Sequence, residues 1–351
     1  MINIISPINQ LGYGIAGLNI VSNLPSVSLW PIGQIQITNE DDANILRRCL
    51  KNAQFPDFNA PCVRIWHQND MSQFVGRGTK IGFPFFELDE FTQVEKHHLN
   101  SLDRLFVSSF WAKSVAESQL DLSSENIFVV PLGVNSKIFQ PSLNTGEKTI
   151  FFNCGKWEIR KGHDILIEAF NKAFTEKDNV ELWMMCSNPF LNPEQSSEWA
   201  KLYQNSSLGH KIKLIDRKNT QEEVYNIMKQ TDCGVFPARA EGWNLELLEM
   251  MACGKHVIAT NYSAHTEFCN ADNANLIEIE AKEVAYDGIW FHGQTGKWAA
   301  MKENQLDQLI SHMRSIHKLK QDNLLKLNYS AIQTSHQFSW KNTAEMVIKY
   351  V

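Results

Sequence analysis

Short apolar runs rich in β-branched and aromatic residues recur along this chain, and most are followed by a segment with helical spacing. The runs at 2–6, 27–30, 62–67, 80–85, 104–108 and 127–131 predict six strands. A turn-rich stretch, Pro141-Ser-Leu-Asn-Thr-Gly146, interrupts the pattern. It then resumes with strands predicted at 149–154, 180–186, 211–215, 234–237, 256–260 and 275–278. Between them, 164–174 places Ile165, Leu166, Ala169, Phe170 and Ala173 on one face of a helix. Strands alternating with helices argue for parallel sheets covered on both faces. Two such blocks predict an α/β chain of two Rossmann-like domains facing each other across a cleft, 1–141 and 147–335. The segment 338–351 reads as a last helix that packs back on the first domain. Ligands of such sheets sit at the carboxyl ends of the strands.

Two segments at predicted strand ends carry chemistry. In Arg239-Ala-Glu-Gly-Trp-Asn-Leu-Glu-Leu-Leu-Glu249, Gly242 loosens a loop, Asn244 can cap a helix, and 245–253 reads as a buried helix stopped by Gly254. The start of that helix points N–H groups at whatever precedes it, an arrangement that attracts anions. Glu241 lies before the helix start and Glu249 within the helix, so two hydroxyl-binding carboxylates flank the anion cradle. That combination describes a site for a sugar joined to a phosphate. In Gly155-Lys-Trp-Glu-Ile-Arg-Lys-Gly162, Lys156, Arg160 and Lys161 supply three cations to one loop, which suits a diphosphate.

Composition changes this picture little. Apolar residues make up 43% and charged residues 21%, as in an ordinary soluble protein. The net charge of −6 gives no global field for nucleic acid, so any basic site is local. The seven cysteines are scattered and odd in number, which reads as reduced core thiols in a cytoplasmic protein. The first residues read as a strand and not as a signal peptide. Trp111 and Lys113 on one helix are too few to argue for a membrane surface. No Asp-x-Asp pair occurs to hold a divalent ion on a diphosphate, so no metal and no further cofactor is expected.

The Gly155–Gly162 loop resembles the Gly-Arg-x-x-x-x-Lys-Gly loop of retaining GT-B glycosyltransferases. Glu241 to Gly254 resembles their Glu-x7-Glu motif, in the group that includes phosphatidylinositol mannosyltransferases and sucrose synthase. The resemblance is specific over about 149–270. It implies a nucleoside diphosphate sugar, UDP- or GDP-linked, as donor, and a glycan, lipid or other hydroxyl acceptor. Lys156, Lys161 and Arg160 would hold the diphosphate, Glu241 would sit by the donor sugar, and Glu249 would bind the ribose. The backbone at Gly242, Trp243, Asn244 and Leu245 would meet sugar hydroxyls and phosphate. Three departures stand out. Lys156 replaces the usual Arg, Asn244 replaces a frequent Gly, and Glu246 adds a negative charge that is expected to face away from the site.

The Gly12-Tyr-Gly-Ile-Ala-Gly17 loop matches a dinucleotide fingerprint. However, no acidic residue follows at the end of the second strand, which weakens a nicotinamide role. Within the resemblance, Gly12 and Gly14 would line the cleft from the other domain. His67, at a strand end, is a candidate for that cleft. Glu87, in a segment resembling the family's sugar-contacting Phe-Glu pair, is another. His265 and Glu267 follow the family's next loop and either line the donor pocket or serve structure. The alternatives to transfer are a sugar-nucleotide epimerase of the same fold, an NAD(P)-dependent oxidoreductase using Gly12–Gly17, and a sugar-nucleotide binding protein without catalysis.

Overall fold

Parallel strands whose side chains are buried on both faces form two separate sheets. The computed structural model describes all residues, 1–351. The chain divides into a first unit, Met1–Val134 with Gln337–Val351, and a second, Asn135–His336. In the first unit, β1 (Ile2–Ser6), β2 (Val27–Pro31), β3 (Cys62–Arg64), β4 (Lys80–Gly82), β5 (Arg104–Val107) and β6 (Ile127–Val129) form a sheet in the order β2-β1-β3-β4-β5-β6. Its helices are α1 (Gly12–Asn23), α2 (Glu40–Asn52), α3 (Gln93–Asn100) and α4 (Phe110–Gln119). Leu105, Val107 and Ile127 pack on Ala112, Val115 and Ala116 of α4, which covers that face.

The second unit repeats the plan. Strands β7 (Thr149–Gly155), β8 (Val180–Cys186), β9 (Ile212–Leu214), β10 (Cys233–Phe236), β11 (His256–Thr260) and β12 (Asn275–Ile277) lie in the order β12-β11-β10-β7-β8-β9, all parallel. The helices are α5 (His163–Ala173), α6 (Pro193–Gln204), α7 (Gln221–Met228), α8 (Leu245–Ala252), α9 (Glu303–Gln321) and α10 (Tyr329–Gln337). Leu166, Ile167 and Phe170 of α5 meet Leu309 and Met313 of α9 over Phe151, Leu182 and Val235 of the sheet. Because β10 and β7 are neighbours, the loops after them emerge side by side. These are the two loops that carry Glu241 and Lys161.

The structure differs from the expected boundaries in two places. The turn-rich stretch at 141–146 is part of the second unit: Ser142 N donates to Cys253 O at 3.0 Å, and Asn144 Nδ2 to Asp232 Oδ2 at 2.9 Å. These bonds tie the stretch to the second unit, and the chain separates at Val134. Second, β12 is followed by an antiparallel hairpin, β13 (Lys282–Tyr286) with β14 (His292–Ala299), that was not expected. One face is covered, by Ala285 and Trp298, while Val284 and Tyr286 lie exposed on the other, so burial alternates although the apolar pattern does not. The last helix, α11 (Trp340–Tyr350), lies in the first unit, where Thr343 Oγ1 donates to Pro131 O at 2.8 Å.

The glycines of Gly12–Gly17, expected in a loop, lie in the first turns of α1 and have unequal roles. A Cβ on Gly14 would stand 2.3 Å from Asn9 Oδ1, and one on Gly17 2.1 Å from Ser6 Oγ, whereas Gly12 faces open space. Close packing of α1 on the end of β1 therefore accounts for two of the three. Gly14→Ala is expected to lower stability by about 1–3 kcal/mol, while Gly12→Ala stays within about 0.5 kcal/mol. Urea unfolding of the two variants checks this, and equal stability would exclude the packing explanation.

Candidate functional site

The site is built where β7 and β10 end. Gly155 closes β7 at φ 146°, in the left-handed half of backbone space, and Lys161 lies over it: a Cβ there would stand 3.1 Å from Lys161 Cδ and Cε. Gly162, at φ 73°, starts α5 against Pro237 O, leaving no room for a side chain. Across the gap, Arg239 N donates to Arg160 O at 2.7 Å, which joins the two loops. The arginines then cross. Arg160 Nη1 donates to Ala240 O at 2.7 Å, and Arg239 Nη1 to Ile159 O at 2.6 Å. Arg239 also grips Asp164 with two bonds of 2.8 Å.

This buckle brings Glu241 and Lys161 together. Glu241 Oε1 accepts from Lys161 Nζ and Oε2 from Arg160 Nη1, both at 2.8 Å. Arg160 continues to Glu158 Oε2 at 2.7 and 3.1 Å, and Glu158 Oε1 takes Lys156 Nζ at 2.8 Å. Five charges therefore alternate in one chain, Lys156–Glu158–Arg160–Glu241–Lys161. Burial alone would raise the Glu241 carboxyl, but Arg160 and Lys161 overcome it and hold the group far below the usual carboxylate range. Burial would lower Lys161, but Glu241 and Glu246 hold its ammonium protonated above the ordinary value. Burial also opposes ionisation of Glu158, and Arg160 and Lys156 reverse that.

Asn244 caps α8 through Oδ1, which accepts from Leu247 N at 3.1 Å. It does so at φ 87°, a left-handed conformation that Gly adopts freely and Asn tolerates. Its side chain is held from behind: Nδ2 donates to His265 Nε2 at 2.9 Å, and His265 Nδ1 lies 3.1 Å from Thr260 O. The imidazole is thus neutral with its proton on Nδ1. Burial is the main reason its pKa drops to about 4, against the pull of Glu241. Ser263, itself at φ 53°, offers Oγ to Glu241 N at 2.9 Å. The N–H groups of Leu245 and Glu246 precede the first intrahelical bond and point out of the helix start.

Glu249 is buried, and burial together with Glu246 pushes its carboxyl well above the usual range. Glu246 is partly exposed, and its charge raises both Lys161 and Glu249; residues three apart share a helix face, which accounts for the effect on Glu249. Trp243 packs its ring against Phe268 at 4.9 Å, and Gly242 is buried beside it. Lys156 is the most open of the cations, with 39% of its side chain exposed.

In the first unit, Tyr13 gathers the other candidates. Its hydroxyl accepts from Phe85 N at 2.8 Å, and its ring meets His67 at 4.7 Å and Trp66 at 5.6 Å. Glu87 adds its charge to the rise of the Tyr13 phenol, which burial dominates. Gly12 opens α1, and Gly14 packs against Asn9.

Sequence reasoning passed over Glu158, His163, Ser263 and Asn153. His163 Nε2 meets Asn153 Oδ1 at 3.0 Å, its Nδ1 accepts from Glu158 N at 3.3 Å, and burial drops its pKa to about 3. For Asn153 and His163 the available signal was polarity at positions the strand and helix patterns made core, since a buried polar group must find a partner.

Residues 134–289 match the family described as Glycosyl transferases group 1. The chain is 26% identical over 182 residues to an MMP alpha-(1->4)-mannosyltransferase of Mycolicibacterium hassiacum, covering 52% of this chain and 43% of that one. It is 30% identical over 166 residues to an uncharacterized glycosyltransferase of Methanocaldococcus jannaschii, covering 47% of this chain and 42% of that one. These matches span less than half the length of those curated relatives. The structure of Anabaena Alr3699/HepE in complex with UDP and glucose superposes with a TM-score of 0.69 at 14% identity, covering 99% of this chain and 98% of that one. The fold is GT-B.

His265 makes stability depend on pH. Its folded pKa of about 4 lies below the ordinary 6.5, so its contribution is complete above 6.5 and fades as pH falls toward 4. That loss is on the order of 3 kcal/mol. Urea unfolding of His265→Gln across this window is expected to give a flatter pH dependence than the unsubstituted protein. Parallel curves would exclude His265 as the titrating group. Asn244→Ala should cost about 2–3 kcal/mol, and Asn244→Gly less, because Gly accepts the backbone angle and costs little as a cap.

Proposed function

We propose that this chain, whose residues 134–289 match the glycosyl transferases group 1, moves a sugar from a nucleoside diphosphate sugar to an acceptor hydroxyl with retention at the anomeric carbon. One observation carries this reading. Lys161 and Glu241 meet at 2.8 Å, and Glu241 lies three residues before Asn244, the cap of a helix whose first N–H groups point outward. Ammonium, amide hydrogens and a hydroxyl-accepting carboxylate are thereby concentrated at one spot. They suit a UDP- or GDP-linked sugar, with the diphosphate charge met by Lys161, Lys156 and the backbone of Leu245 and Glu246 without a divalent ion.

In the proposed reaction the bond from the anomeric carbon to the diphosphate oxygen breaks. A bond from the same face forms to the acceptor oxygen, and the acceptor proton passes to the departing phosphate. Negative charge grows on that oxygen, where preplaced donors act without reorganising. Glu241 is held so far below the usual carboxylate range that it is a poor base and a poor nucleophile. Its fitting roles are to accept sugar hydroxyls and to favour positive charge at the ring. Arg160, bound to Glu158 and Glu241, would orient Glu241. Glu249 would take the ribose hydroxyls. The first unit, with His67 and Glu87 around Tyr13, would serve the acceptor, whether glycan, lipid or another hydroxyl. A nicotinamide site is less favoured, because packing on Asn9 and Ser6 already explains Gly14 and Gly17.

A thermal-shift panel of UDP-, GDP- and ADP-sugars tests the donor. The true one, at about a hundredfold its Kd, should stabilise by about 2.7 kcal/mol. Lys161→Ala is expected to lower transfer about 100- to 1000-fold. Folded Lys161→Ala and Glu241→Ala proteins with near-normal transfer would end this assignment. Interconversion of sugars without acceptor would point to an epimerase instead.

A further inference from the structure

We infer that Glu158 is a positioning residue of the donor site, with two separable tasks, one for each carboxylate oxygen. The inference rests on the donor reading above. Oε2 holds the Arg160 guanidinium at 2.7 and 3.1 Å, and the opposite edge of that guanidinium holds Glu241 Oε2 and Ala240 O. Oε1 holds the Lys156 ammonium at 2.8 Å. Glu158 and Arg160 side chains are both 4% exposed, so water cannot replace either contact at low cost.

The geometry shows why one carboxylate is needed here. Arg160 carries a delocalised charge and a planar fork that would suit Glu241 bidentately. As long as Glu158 takes one edge, only Nη1 reaches Glu241, and Glu241 Oε1 stays with Lys161. Remove Glu158, and Glu241 is a carboxylate already in contact with Arg160. Glu241 would rotate toward a forked pair and withdraw from Lys161. A donor sugar would then meet a carboxylate in the wrong orientation, although the cations for its diphosphate remain. The Oε1 contact acts separately: it parks Lys156, the most open cation, beside the loop that starts α5.

Two substitutions separate the tasks. In Glu158→Gln the amide oxygen can still accept from Arg160, but the amide nitrogen cannot hold Lys156. Expected are a kcat loss clearly smaller than that of Glu158→Ala and donor affinity weakened by about the amount seen in Lys156→Ala, on the order of 10-fold. In Glu158→Ala the expected loss is on the order of 100-fold in kcat, and Glu158→Ala with Arg160→Lys together should cost little more than either alone, since they act as one unit. Normal kcat in Glu158→Ala, or losses that multiply in the double variant, would overturn the inference.

A structure of ligand-free Glu158→Ala, or of Glu158→Leu if the alanine variant does not fold, decides the same point without activity. The Glu241–Lys161 contact should be broken. Its persistence at the present distance would overturn the inference. If the unsubstituted protein turns over none of the donors in the panel, the transferase reading fails, and the structural arm still decides the role of Glu158.

Discussion

A buried carboxylate shared by two cations organises the second unit. Glu241 sits at the end of a parallel strand, is almost completely removed from water, and stays ionised only because Arg160 and Lys161 each take one oxygen. A buried ion is costly unless paired and hydrogen-bonded. The loops after β7 and β10 are therefore not free to adopt independent shapes. The crossing of Arg160 and Arg239 ties the same two loops together, since each guanidinium donates to a backbone carbonyl of the other loop.

The neighbouring turn solves a second constraint. The chain must reverse into α8 through a left-handed residue, and Asn244 does so where Gly is the easier choice. Its amide then needs partners, which Leu247 N and His265 supply. His265 is kept neutral by burial, so it adds no charge to a cluster in which Arg160, Lys161 and Glu241 already set the balance. The result is a capped helix start beside a carboxylate held by two cations. Glu246 modifies the charge balance, because it shares the face of Glu249 and bears on Lys161.

The first unit shows the same principle with different groups. Tyr13 is tied to the backbone of Phe85, and its ring collects Trp66 and His67 near the ends of β3 and β4. Aromatic faces and a few polar tips characterise sites for small polar molecules with apolar flanks. Gly14 and Gly17 let α1 approach β1 closely enough to place Tyr13 there.

The periodicity of apolar runs determined the α/β class and most strand positions, because a parallel sheet buried on both faces leaves continuous hydrophobic segments. It also marked Lys161, Glu241 and Asn244, whose types and spacing are unusual at strand ends. Glu158 and Ser263 were not legible. Each acts through a partner distant in sequence, and nothing local distinguishes a buried clamp from a solvated loop residue. Glu246 could have been placed by its spacing of three from Glu249, since both lie on one helix face. The unit boundary at Val134 and the hairpin after β12 were decided by tertiary hydrogen bonds, from Ser142 to Cys253 and from Ala299 to Arg239. The sequence thus carried which chemistry was available and on which elements. The order of the strands decided which of those groups became neighbours, because only side-by-side β7 and β10 bring a lysine and a glutamate 80 residues apart into one ion pair.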